Sequence, residues 1–195
     1  MTNNTTLILA SGSRYRRELL ERLGLPFETW SPEVDEAPLA GEGPRQTAAR
    51  LARAKAQAGA ARFPQAWVIG SDQVAEVDGT PVNKPGSLDL ARRQLRALSA
   101  RTVRFHTGLC VWNAAARRGH ERLVTTEVQF RPLDDAEIER YLAREPAIDC
   151  AGSAKSEGLG IALLTRMTGD DPTALIGLPL IELCALLRDE GYRIP

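Results

Sequence analysis

A turn of small residues followed by closely spaced arginines, Ser11-Gly12-Ser13-Arg14-Tyr15-Arg16-Arg17, stands directly after the apolar run Leu7-Ile8-Leu9-Ala10. Such an order reads as a buried strand that turns into a helix. The first N–H groups of a helix lack internal partners, and the helix dipole is positive there, so an anion is welcome. Ser11 and Ser13 are small enough to let a phosphate reach the backbone, and Arg14 with a neighbouring arginine could grip its oxygens in a fork. Arginines at that end oppose the dipole unless an anion offsets them. The plainer alternative is a solvated helix start with Ser13 as N-cap. The Gly-Lys-Ser/Thr ending of a Walker loop is missing.

Carboxylates supply the second kind of chemistry. Glu33-Val34-Asp35-Glu36 lies in a loop rich in Pro, Glu, Asp and Gly. It could ligate a hard divalent cation, or be an ordinary solvated acidic loop. Asp72 follows the apolar run Trp67 to Gly70, in Ser71-Asp72-Gln73. A strand ending there would hold Asp72 rigidly at its C-terminal edge, where ligands of open α/β sheets collect. That Asp could bind a metal or take a proton from water, or simply close a turn. Lys55, in an Ala-rich helix, and Lys84, before Pro85, are candidate point charges for phosphate, though most lysines are solvated. In Cys150-Ala-Gly-Ser-Ala-Lys155-Ser156-Glu157-Gly158-Leu-Gly160, small residues around a Lys and a Glu predict backbone packed closely against something. A nucleobase, a phosphate or an ordinary tight loop would each fit.

Other chemistries are disfavoured. Lys and Arg total 25 and Asp and Glu total 25 in 195 residues, so no basic excess favours a nucleic-acid polymer or a membrane surface. The 3 cysteines, Cys110, Cys150 and Cys184, are scattered and without metal-ligand spacing, which fits a reducing cytoplasm. The 2 histidines, His106 and His120, have no third partner in view for a triad or zinc site. Met1 to Ala10 has no positive start and a short apolar run, unlike a signal peptide, and nothing approaches the roughly 20 apolar residues that span a bilayer.

The elements that must position these groups follow from local patterns. Strands are expected at Thr6–Ala10, Phe27–Trp30 and Trp67–Gly70. Helices are expected at Arg14–Leu23, stopped by Gly24, at Arg45–Arg62, at Ser87–Leu98 and from Asp134 to Ala143. Asp78-Gly79 signals a hairpin turn. Val103–Trp112 and Leu123–Phe130 read as a long hairpin turning at Arg117-Arg118-Gly119. A last helix is expected after Asp170-Asp171-Pro172, ending near Gly191. Strands alternating with helices at both ends, around a central antiparallel hairpin, give an α/β or mixed α+β class with a mixed twisted sheet in one domain over 1–195, with two lobes and a cleft between them as a further expectation. A chain this long buries about 70% of its extended surface and needs no disulfide or metal to fold.

Taken together, Leu7-Ile-Leu-Ala-Ser11-Gly-Ser-Arg-Tyr-Arg-Arg17, Pro32-Glu-Val-Asp-Glu36, Lys55-Ala56, Ile69-Gly-Ser-Asp-Gln73, Lys84-Pro85, Cys150 to Gly158 and Leu178-Pro-Leu-Ile181 resemble the Maf-like nucleotide pyrophosphatases. Within them the pieces look like the subgroup acting on 7-methyl-GTP. Each piece alone is weak, but the ordered set covers nearly the whole chain. The resemblance implies a fold like that of inosine-triphosphate pyrophosphatases, a divalent cation (Mg²⁺ or Mn²⁺), a small-molecule nucleotide substrate, and cleavage between the α and β phosphorus. It allows a homodimer. It matches Asp72 to the family's proton acceptor; as a mechanistic expectation, Glu36 and Asp72 would hold the metal. It matches Tyr15, Gln73 and Glu157 to positions associated with substrate choice, and Arg14, Glu36, Lys55 and Lys84 to polar positions of the catalytic cleft. Asn83 replaces the usual Gly before the Lys-Pro pair, and Ala154 replaces an aromatic.

Base choice also has a physical side. Guanine's Watson–Crick edge presents two adjacent N–H donors, which the carboxylate of Glu157 could accept together. N7 methylation makes the base cationic and strengthens stacking on Tyr15, an interaction worth about 0.5–2 kcal/mol. A relative acting on dTTP and UTP usually has Gln at the Glu157 position and Thr at the Gln73 position. Rival expectations are therefore a dTTP/UTP pyrophosphatase, a non-catalytic nucleotide-binding regulator of septum formation, and a nucleotidyl or sugar-phosphate transferase.

Overall fold

The computed structural model describes residues 6–195. The reading of residues 1–5 as part of a non-signal N-terminus lies outside the described residues. Seven strands form one mixed sheet: β1 (Leu7–Leu9), β2 (Glu28–Thr29), β3 (Trp67–Val77), β4 (Thr80–Val82), β5 (Thr102–Asn113), β6 (Arg118–Phe130) and β7 (Leu164–Thr168). Their order is β2-β1-β3-β5-β6-β7, with β4 paired to β3 off that path. Among the described residues the five α-helices are α1 (Arg14–Glu21), α2 (Pro44–Arg62), α3 (Leu88–Leu98), α4 (Asp135–Arg144) and α5 (Leu180–Asp189). β1 is parallel to β2 and to β3, whereas β4 and β7 run antiparallel to their partners.

The chain divides into two compact units, one of residues 1–73, 107–124 and 171–195, the other of 74–106 and 125–170. The first is a three-layer sandwich. Side chains alternate across a strand, so Leu7 and Leu9 join Trp67 and Ile69 on one face, packed with Leu19 and Leu20 of α1 and Leu183, Leu186 and Leu187 of α5. Ile8 and Val68 point to the other face, under Ala60 and Phe63. There α2 rests on the sheet through a row of small residues, Ala48, Ala52, Ala56 and Gly59, all buried. The strands meet it with glycines. A Cβ on Gly70 would stand 2.2 Å from the carbonyl oxygen of Ala52, and one on Gly108 would stand 2.4 Å from that of Ala48. Helix and strand backbones thus touch, which no larger pair of residues permits.

In the second unit α3 packs against α4, with Ala91, Leu95, Leu98, Ile138 and Leu142 buried. Arg92 and Arg96 pair across to Glu139 and Asp135. Ser87 caps α3, and Asp134 caps α4 in a reciprocal box with Glu137.

Four local expectations need correction. β3 does not stop at Gly70 but runs on through Asp72 and Gln73 to Val77. The β5–β6 hairpin turns at 114–117, so β6 begins at Arg118. The last helix starts at Leu180, because residues 172–177 form turns. Asp171 still serves it from a distance, since Oδ2 accepts the Ile181 N–H at 2.7 Å and Oδ1 accepts the Thr173 N–H at 2.9 Å. Finally β7 is a strand that polar, mostly exposed residues conceal from any hydrophobic pattern.

Candidate active site

Alternation along β3 sorts its polar residues. Ile69, Ser71 and Gln73 point to the α1/α5 side, and Val68, Gly70 and Asp72 point to the α2 side. Asp72 is therefore mid-strand rather than at a strand end. It lies past Ile69, the last β3 residue paired with β1, and before Ala75, the first paired with β4. Because Gly70 lets α2 settle onto the strand, Lys55 arrives beside Asp72, and its Nζ stands 2.6 Å from Oδ1. The same Nζ stands 2.6 Å from Oε1 of Glu36. The Lys55 and Asp72 side chains are only 9% and 10% exposed, whereas that of Glu36 is 61% exposed. A sheltered pair thus meets solvent through one loop carboxylate.

That loop is held to α2 by Arg50, which grips both oxygens of Glu42, at 2.7 and 2.9 Å, and donates to the Ala37 carbonyl at 2.9 Å. Glu42 also accepts the Leu39 N–H at 3.0 Å. The Arg50 hydrogen bonds, followed by that of Leu39, pull the Glu42 carboxyl down to about 2.

The arginine cluster opening α1 divides its work. Ser13 is the N-cap, its hydroxyl accepting the Arg16 N–H at 3.4 Å. The Ser11 hydroxyl accepts the Ser13 N–H at 3.1 Å. Arg14 is exposed and folds over Tyr15, its guanidinium 4.7 Å from the ring centroid and donating to the phenol oxygen at 2.7 Å. Arg17 pairs with Glu21 one turn on. Arg16 turns inward instead. Its Nε donates to the Gly177 carbonyl at 2.7 Å, and a terminal nitrogen lies 3.4 Å from Ser11 Oγ. Burial pulls its pKa down, while the charges of Asp72 and Glu36 push the other way. Arg16 is thus the arginine that shares a field with the two carboxylates. It stands three and four residues before the buried Leu19 and Leu20, so helical spacing puts it on their inward face.

The segment 173–177 closes this side. Ser71 Oγ lies 2.8 and 2.9 Å from the carbonyl oxygens of Gly108 and Gly177. The Gln73 amide nitrogen donates to the carbonyls of Ala174 and Leu175, at 2.9 and 3.0 Å, and to Thr107 Oγ1 at 3.0 Å. Two carbonyl acceptors fix which end of the amide points there.

A family model described as "Maf-like protein" matches residues 6–190. The chain belongs to the Maf family. Maf relatives align over nearly the whole length. One from Xanthomonas oryzae pv. oryzae is 57% identical over 97% of this chain and 98% of its own. One from Cupriavidus pinatubonensis is 56% identical over 95% and 94%. One from Bordetella avium is 56% identical over 98% and 96%. Each of the three carries the name 7-methyl-GTP pyrophosphatase. A solved structure of the Staphylococcus aureus Ham1 protein is similar over 65% of this chain and 72% of that one, with 15% identity and a TM-score of 0.48.

In this Maf chain the first unit gathers Ser11, Ser13, Arg14, Tyr15, Glu36, Lys55, Asp72 and Gln73. Lys84 and Glu157 belong to the second unit, where both are exposed. Spacing alone missed Arg16, Arg50 and the 173–177 carbonyls. Of these, only Arg16 carried a usable sequence signal. The three cysteines are free, and burial pushes the Cys110 and Cys150 thiols up to about 12. No helix among the described residues is long and apolar enough to cross a membrane.

Proposed function

We propose that the chain is a cytoplasmic pyrophosphatase that hydrolyses 7-methyl-GTP to 7-methyl-GMP and pyrophosphate by attack of water on the α-phosphorus. The observation that carries the hydrolytic reading is the convergence of Asp72 and Glu36 on Lys55, with Arg16 in the same field. The shared name of the Maf relatives supports the choice of nucleotide. Three free cysteines, Cys110 buried and Cys150 and Cys184 half-buried, fit a reducing compartment.

Asp72 accepts the proton of the attacking water, and the sheltered strand keeps its carboxylate oriented. Lys55 and Arg16 offset negative charge gathering on the departing pyrophosphate. Ser11, Ser13 and Arg14 offer the α1 N-terminus to phosphate oxygens. No covalent intermediate is needed, and burial raises all three thiols, which disfavours the thiolate form.

The donor set fits a hard cation. Glu36 and Asp72 already share one positive charge, and no cluster of three or more His, Cys, Asp or Glu occurs among the described residues. Two carboxylates completed by water and phosphate oxygens is how Mg²⁺ is commonly held. Glu36 and Asp72 would hold Mg²⁺ or Mn²⁺, which when bound offsets phosphate charge as a Lewis acid. Glu157 accepts the two N–H donors of the methylguanine edge.

The test is pyrophosphate release over a panel of 7-methyl-GTP, GTP, dTTP and UTP, with Mg²⁺ or Mn²⁺ and with chelator. Preferred release from 7-methyl-GTP, abolished by chelator and by Asp72→Asn, is expected. Preference for dTTP or UTP assigns the chain to the sister activity, and binding without release makes it a regulator. Either overturns the proposal.

A further inference from the structure

The glycines around Glu157 have a partner that the sequence does not announce. Glu145 ends α4, its N–H donating to the Tyr141 carbonyl at 2.8 Å. Its Oε2 accepts the Gly160 N–H at 3.0 Å. A Cβ on Gly158 would stand 2.2 Å from Oε1 and 3.0 Å from the carboxyl carbon, so this carboxylate fills the space beside residue 158. One turn back on α4, the buried Tyr141 hydroxyl accepts the Lys155 N–H at 3.2 Å. Burial pushes that phenol's pKa up, and the Glu145 carboxylate adds to the rise by charge and by hydrogen bond. Tyr141 and Glu145 thus act as one acceptor pair on the two ends of the 155–160 turn.

The turn itself is closed tightly. The Gly158 N–H donates to the Lys155 carbonyl at 3.0 Å, and a Cβ on Gly160 would stand 2.4 Å from the Lys155 nitrogen. Glu157 is exposed within this loop. A carboxylate at the C-terminus of a helix meets the negative end of the dipole, which is unfavourable. Glu145 is placed there nonetheless, and the Gly160 N–H is what it gains.

We propose that Glu145, with Tyr141, is a positioning residue that fixes the 155–160 turn and so sets the preference for a cationic purine base. The inference rests on the base-recognition role given above to Glu157, and Glu145 itself does not touch the nucleotide.

The test combines two measurements on Glu145→Ala, Glu145→Gln and Tyr141→Phe. The first is hydrogen exchange at the Lys155 and Gly160 amides without nucleotide. The second is kcat and KM for 7-methyl-GTP and dTTP. In Glu145→Ala, protection at Gly160 should fall and KM for 7-methyl-GTP should rise about tenfold, the size of a lost charge-assisted hydrogen bond, with kcat little changed. Glu145→Gln, which keeps an oxygen for the Gly160 N–H, should restore most of both. Tyr141→Phe should lose protection at Lys155 and shift KM in the same direction. In a Glu157→Ala background Glu145→Ala should add nothing, because the two act through one contact. Unchanged exchange, unchanged KM despite lost protection, or an equal fall in kcat for both nucleotides overturns the inference while leaving the 7-methyl-GTP activity standing. A wild-type chain that ignores 7-methyl-GTP overturns that activity and this inference together. If Glu145→Ala does not fold, the comparison of Glu145→Gln with Glu145→Asp, which shortens the reach to Gly160, carries the same outcomes.

Discussion

Lys55 and Asp72 form a sheltered ion pair whose ammonium, 2.6 Å from Oδ1 of Asp72, is shared with the exposed Glu36. The arrangement is asymmetric. Removing Asp72's charge leaves Lys55 with Glu36, whereas removing Lys55 leaves Asp72 without its direct partner. Breaking a buried pair from one side costs about 3–5 kcal/mol. Lys55→Met should therefore lower stability toward the lower end of that range, since Arg16 still lends Asp72 a positive field. Asp72→Asn should unfold near the wild-type midpoint while turnover drops by about 10² or more. Denaturant melts beside turnover numbers check this, and equal stability losses for the two variants would contradict the asymmetry.

The close approach of α2 to the sheet gives a second prediction. A Cβ on Gly70 would meet backbone of Ala52 and Ala56, and backbone cannot rotate away. Gly70→Ala should push α2 outward, draw Lys55 from Asp72, and cost about 1–3 kcal/mol or more together with most activity. Gly59→Ala is the control. Its Cβ would meet the Val68 Cγ1 at 2.7 Å, a side-chain rather than a backbone atom, and Gly59 is one turn farther along the helix from the catalytic pair. It should lose less stability and keep turnover, as thermal melts and steady-state assays would show.

Much of this was legible from local chemistry. Ser13, Ser87 and Asp134 announce helices because a capping side chain acts within three residues, and each caps as expected. Asp78-Gly79 forms the β3–β4 turn, with positive φ at both residues. What escaped depends on distant chain. Arg14 looked as good as Arg16 because choosing between them requires the Gly177 carbonyl, 161 residues away. Asp72 looked like a strand end because Ser and Asp punctuate sequences, yet residues from α2 and 173–177 satisfy them within the strand. The delayed start of α5 was hidden because Asp171 caps across ten residues rather than three.

Glu42 supplies a pH prediction. Arg50 and the Leu39 N–H hold its folded carboxyl at about 2, below its ordinary value. A depressed carboxyl contributes stability above its unfolded pKa and loses it as pH falls toward the folded one. The Glu36 loop should therefore stay clamped through neutral and mildly acid pH and loosen only between about pH 4 and pH 2. Arg50→Ala should return Glu42 to an ordinary carboxylate titration, which carboxyl NMR would follow. A Glu42 that already titrates normally in the wild-type chain would contradict the clamp.

The thiols offer a simple negative test. Burial raises Cys110 and Cys150 to about 12, and Cys184 is raised by the same cause. Thiolate is the reactive form, so alkylation at neutral pH should be slow and should leave pyrophosphate release intact. Serine substitutions at Cys150 or Cys184 should keep turnover, and loss of activity that tracks alkylation of any one thiol would contradict the proposed mechanism.

Gln73 separates substrate choice from support. Its amide nitrogen is committed to the carbonyls of Ala174 and Leu175 and to Thr107, and Gly177 in the same segment holds Arg16. Gln73→Thr has too short a reach to serve both carbonyls; the Ala174 carbonyl keeps Thr107 Oγ1 and the Gly177 N–H, but the half-buried Leu175 carbonyl loses its Gln73 donor, at about 1 kcal/mol. The displaced segment would carry the Arg16 anchor with it. Because Arg16 acts on phosphate charge, which every nucleotide shares, kcat should fall by a similar factor for 7-methyl-GTP, GTP and dTTP, with their ranking kept. Glu157→Gln should do the reverse, moving the ranking toward dTTP with a smaller change in kcat. A Gln73→Thr variant that reorders the substrates at unchanged stability would instead place Gln73 against the base.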